Sequence, residues 1–119
     1  MRRRGPAASA LLSSVVVAGV VLHGPAASAA VRDGNALLKQ CSATIGALMT
    51  FCFGYIDAVT DAVLENDGLG NVDVCISAEL DDVQLKNIVI GFLKKNPGLR
   101  RFAAPTLIAR ALAEAFPCR

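Results

Sequence analysis

The chain has 119 residues, with twelve Lys and Arg against ten Asp and Glu, one His, no Trp and four Cys. That length holds one small domain. The excess of positive charge belongs to the amino terminus: Arg2, Arg3 and Arg4 precede an uncharged apolar run from Leu11 to Leu22, and Ala27-Ser28-Ala29 follows. A basic stretch, a short apolar stretch and a small-x-small site are the parts of a cleavable export signal. Residues 1–29 are therefore expected to be a signal peptide and residues 30–119 the mature domain. The apolar run is too short to span a bilayer, which takes about twenty residues, and no membrane span is expected in the mature chain. Cleavage leaves nine basic against ten acidic residues, a balance that argues against a nucleic-acid surface. His23 leaves with the signal. Serine–histidine and cysteine–histidine catalysis need an imidazole and are excluded, as are zinc sites with histidine ligands. No catalytic residue, metal or cofactor is expected.

Export also decides how the cysteines are read. Cys41, Cys52, Cys75 and Cys118 form an even set in a small exported domain, which favours two disulfides. No pair has the short spacing of a four-thiolate zinc site.

The patterning after the signal is helical. Asp33 or Asn35 can cap a first helix ending at Cys41. A longer helix is expected from Thr44 to Glu65, stopped by Asn66-Asp67-Gly68. Asp81 and Gln84 have capping-box spacing with Leu80 just outside, and Leu85, Ile88, Val89 and Phe92 follow at helical intervals. Asn96-Pro97-Gly98 ends that third helix. Pro105 suits the first turn of a fourth, whose apolar face is Leu107, Ile108, Ala111, Leu112, Ala115 and Phe116 and which Pro117 ends. Asn71 to Ile76 is at most a short extended piece. The fold class is all-α: a small disulfide-linked bundle of about four helices.

If the last two helices run antiparallel, the start of the third lies beside the end of the fourth. Cys75 then meets Cys118, leaving Cys41 with Cys52. The rival, Cys52 with Cys75 and Cys41 with Cys118, requires the 66–74 loop to double back along the second helix, which its length of about 30 Å when extended permits.

Two features of the second helix ask for a purpose. Gly46, Thr50, Gly54, Ala58 and Ala62 recur every four residues, and small side chains let another helix approach closely. The approaching helix can belong to the same chain or to a second copy. Asp57, Asp61 and Glu65 form a parallel acidic stripe, read either as a solvated face or as acceptors for a partner. Lys94, Lys95, Arg100 and Arg101 surround the third helix's end, where cations complement its dipole; an anionic partner is the other reading.

Four segments together resemble the Rap/Tai family, which includes immunity proteins against type VI secretion amidase effectors. Phe51-Cys52-Phe53-Gly54-Tyr55-Ile56 with Asp61-Ala62 is similar to its FCxGYIxGxxDA segment. Cys75 with Gln84-Leu85 and Val89 is similar to C-x(n)-QLxxVV. Phe92-Leu93 before Asn96-Pro97 resembles YLxxHP. Ala104, Leu107, Ala111-Leu112 and Ala115-Phe116-Pro117-Cys118 resemble AxxLxxxALxxAFPC. The chain departs from the pattern at Ile76-Ser77, at Asn96 in place of His, at Asp57 in place of Gly, and at Gly91. The resemblance implies an all-helical, homodimeric, periplasmic protein without catalytic activity, and a cognate amidase effector as partner. The segment from Asn66 to Ile76 is then either a plain connection or the loop that meets the toxin, with Glu65, Asp67 and Asp73 as contact residues. A structural or housekeeping envelope protein of the same fold is the other function left open.

Overall fold

The computed structural model describes Gly19 and residues 33–44 and 46–119; the segment read as a signal peptide lies outside the described residues. Among the described residues, four α-helices and one short hairpin follow in chain order: α1 (Gly34–Cys41), α2 (Ala47–Glu65), β1 (Gly68–Leu69), β2 (Val72–Asp73), α3 (Asp82–Lys95), a 3-10 turn (Pro97–Leu99) and α4 (Ala104–Ala115).

Local chemistry sets most of the boundaries. Asp33 caps α1, its carboxylate accepting from the Ala36 amide at 2.8 Å. Asp81 and Gln84 close a reciprocal capping box at 2.8 and 2.9 Å, which satisfies two amides that a bare helix start leaves unpaired. Arg100 finishes the other end of α3: its guanidinium donates to the carbonyls of Leu93 and Lys94 at 2.7 and 3.3 Å. That basic turn therefore serves the helix terminus in part.

Two expectations are corrected. The second helix begins at Ala47 rather than Thr44, with Gly46 outside it as N-cap at φ +81°. The glycine there answers a left-handed backbone position, and it is not a packing contact. The 66–76 segment is not a plain irregular loop: it holds an antiparallel hairpin in which Gly68 pairs with Asp73 and Leu69 with Val72. Gly68 is required there, since a Cβ would strike the Val72 carbonyl.

All four helices contribute to one core. Leu37 and Cys41 of α1, Cys52, Ile56 and Val63 of α2, Leu85, Val89 and Leu93 of α3, and Leu107, Ile108 and Leu112 of α4 form one buried cluster. The first two helices are joined by Cys41–Cys52 (Cα separation 5.1 Å) and the chain end is held by Cys75–Cys118 (5.0 Å). The second bridge ties the segment before α3 to the end of α4, where the Cys75 amide also donates to the Phe116 carbonyl at 3.2 Å.

The amino-terminal turn of α1 docks on the turn before α4. Gly34 and Asn35 donate to the carbonyls of Phe102 and Arg100 at 3.2 and 3.0 Å. A Cβ on Gly34 would lie 2.9 Å from the Arg100 Cα and 3.0 Å from its carbonyl oxygen, and backbone cannot move aside as a side chain does. Gly34→Ala should therefore destabilise the domain by about 1–3 kcal/mol, measured by urea denaturation, whereas alanine's helix propensity alone would raise stability.

Candidate partner-binding surface

The helix α2 is apolar on more than one face. Cys52, Ile56, Thr60 and Val63 point into the core. An adjoining face carries Leu48, Phe51, Tyr55, Ala58 and Ala62, spaced alternately three and four residues apart, the interval of a helix–helix seam; Tyr55, half-buried, packs in part against the core. Leu48 and Phe51 are 51 % and 42 % exposed, and the rings of Phe51 and Tyr55 stack at 6.0 Å. Burial pushes the Tyr55 phenol above its ordinary value.

By length and composition alone α2 would pass for a membrane span. Its inner face belongs to the protein core, however, and Asp57, Asp61 and Glu65 are exposed along it. Hydrocarbon would strip water from those carboxylates. The surplus apolar surface on the outside is suited to another protein.

Of the residues expected to pack helices, Gly54, Ala58 and Ala62 are exposed, and open space surrounds the position of a Gly54 Cβ. Among the described residues no other helix packs closely against Gly54. A sequence signal for the wider seam existed in the three-and-four spacing of Leu48, Phe51 and Tyr55 with the small residues.

The residues expected to touch a partner gather around the hairpin. Glu65 ends α2, Asp67 follows at φ +54° with its carbonyl accepting from the Val74 amide at 3.1 Å, and Asp73 lies on β2. All three are exposed. Among the described residues no three side chains of His, Cys, Asp or Glu come together as a metal site would require.

A second acidic surface lies along the neighbouring flank of α2. Asp57, Thr60, Asp61 and Leu64 form one wall of a groove of about 380 Å³, and Ile76, Ala78, Glu79, Leu80 and Leu85 close it. Sequence periodicity shows the carboxylates of α2 but not that the chain after Cys75 folds back beside them, and so does not single out Glu79.

The Rap1a immunity protein family matches the chain over residues 33–118. No curated protein and no solved structure matches it.

Proposed function

From the chain's membership of the Rap1a immunity protein family, we propose that it is exported to the periplasm and there neutralises a peptidoglycan amidase effector of type VI secretion by occluding its active site. The observation that carries this reading is the family match across nearly the whole folded domain, joined to a fold whose conspicuous features are surfaces. Catalysis by the chain itself is not part of the proposal; an immunity protein acts by binding. Export through cleavage of residues 1–29 accords with two disulfides in so small a domain, since such bridges persist in oxidising compartments.

The working unit in this reading is a homodimer. The outer face of α2 supplies the seam: large side chains at Leu48, Phe51 and Tyr55, then Ala58 and Ala62 where two helices can come close. Charge on that face would have to be buried on pairing, at a cost of several kcal/mol for an unpaired ion. Phe51→Asp should accordingly give a monomer by light scattering, with the helical circular dichroism signal retained because Phe51 lies outside the core. A Phe51→Asp dimer would place the subunit interface elsewhere.

The functional test is protection of cells. An amidase-type effector, directed to the periplasm, should lyse cells that lack this chain and spare cells that express it. The same chain without residues 1–29 should give no protection. Lysis that proceeds unchanged in the presence of the exported chain would contradict an immunity role against that class of effector and favour an envelope protein of the same fold.

A further inference from the structure

We propose that the groove between α2 and the 76–80 segment is a docking site for a cationic stretch of a partner polypeptide, an apolar side chain flanked by arginine or lysine. The proposal rests on the reading that the chain works by binding an effector protein, and it names a surface and a chemistry for that contact.

The lining residues define the occupant. Leu64, Ile76, Ala78, Leu80 and Leu85 give the groove an apolar floor and walls, and Asp57, Asp61 and Glu79 supply carboxylates from both sides. Among the described residues no cationic side chain lines it. Thr60, 4 % exposed, is the remaining polar side chain, and its hydroxyl already donates to the Ile56 carbonyl at 2.7 Å. Every polar side chain of the groove is thus an acceptor toward an incoming ligand. An apolar residue fits the floor while guanidinium or ammonium groups meet the rim, a match of charge that steers association and selects the partner. A compact divalent cation is a poorer match, because these carboxylates do not converge as metal ligands do.

The groove is also held open in advance. Its α2 wall is a regular helix. The opposite wall is pinned at its start by the Cys75–Cys118 bridge and the Cys75-to-Phe116 hydrogen bond. At its end it enters the Asp81–Gln84 capping box, flanked by Leu85, which belongs to the buried apolar cluster, and Leu80, which packs against that cluster. This N′-to-N4 pair fixes the angle at which the chain enters α3 and so keeps Glu79 opposite Asp57 and Asp61. Within that wall, the backbone of residues 76–80 makes no hydrogen bond to other backbone among the described residues, which leaves it free to pair with an extended chain laid beside it. A rigid site avoids the ordering cost that a loop of this length would otherwise add.

The probe is a short synthetic peptide in which leucines alternate with arginines, titrated into the isotope-labelled mature protein, with the same peptide carrying glutamate for arginine as control. Amide shifts are expected to cluster at residues 57–64 and 76–80 with the cationic peptide and to be absent with the acidic one. Asp61→Lys combined with Glu79→Lys should weaken the interaction at least about tenfold; both residues are exposed, and an unchanged circular dichroism spectrum shows that the fold persists. Asp67→Lys with Asp73→Lys, at the hairpin, should leave peptide affinity unchanged. Shifts confined to other surfaces, equal response to the acidic peptide, or affinity untouched by the groove variant would overturn the proposal. So would concentration-dependent shifts at the groove without peptide, which would make a second copy its occupant. No effector enters this experiment, so a negative result leaves the immunity reading standing. Failure of the chain to inhibit an effector, with peptide binding at the groove intact, would overturn the immunity reading alone.

Discussion

Replacing Cys75 and Cys118 together by serine is expected to lower the unfolding free energy by about 4 kcal/mol, and replacing Cys41 and Cys52 by about 3 kcal/mol. The bridges span 43 and 11 residues, and a longer closed loop removes more conformational freedom from the unfolded chain. Native domains have only about 5–15 kcal/mol in hand, and a small domain buries a modest core. Loss of the longer bridge should therefore move the urea midpoint far down and also release the carboxy-terminal residues whose Phe116 carbonyl holds the Cys75 amide. Equal midpoints for the two double variants would mean that loop closure does not govern their contributions.

Leu107→Ala is expected to cost about 3 kcal/mol or more, lowering the melting temperature of a domain this size by roughly 15 °C. Leu107 is fully buried in α4, and its Cδ1 lies where a side chain on Gly34 would have to go, so it bridges the amino-terminal turn to the core. Truncation removes three side-chain carbons from a site that backbone hydrogen bonds to Arg100 and Phe102 keep from collapsing. Calorimetry on the oxidised protein gives the value; a loss below about 1 kcal/mol would show that the pocket refills.

Both predictions draw on features that differ in how plainly the sequence displays them. The helix boundaries at Asp81 and at Asn96-Pro97 are legible because capping and proline act within a few residues. The disulfide pairing follows once two adjacent helices are taken as antiparallel, a consequence of a short connection. The hairpin is not legible: strands of two residues carry no periodicity, and Gly68 looks like a helix stop until Val72 is seen against it. Spacing groups Gly46 with Gly54, although one serves a left-handed cap and the other an open helix face. The helix α2 resists a one-dimensional reading for a further reason. Its apolar residues serve a core and an exposed seam at once, and hydrophobicity does not say which face has a partner within the chain. The groove beside it depends on a long-range event, the return of residues 76–80 along α2, which the bridge at Cys75 and the capping box at Asp81 bring about together.

The two proposed surfaces of α2 occupy different flanks. The seam follows Leu48, Phe51, Tyr55, Ala58 and Ala62, and the groove follows Asp57, Thr60, Asp61 and Leu64. Dimer formation and engagement of a cationic partner segment are therefore compatible on one helix, and Phe51→Asp should leave the groove's affinity for the cationic peptide unchanged, as titration on the monomeric variant would show.

The central claim, that the protein binds and occludes a peptidoglycan amidase, is tested most directly by titrating the purified mature domain into such an effector while muropeptide cleavage is followed. The account predicts that cleavage falls linearly and stops when subunits and enzyme are equal in number. Full amidase activity in the presence of excess domain would contradict it.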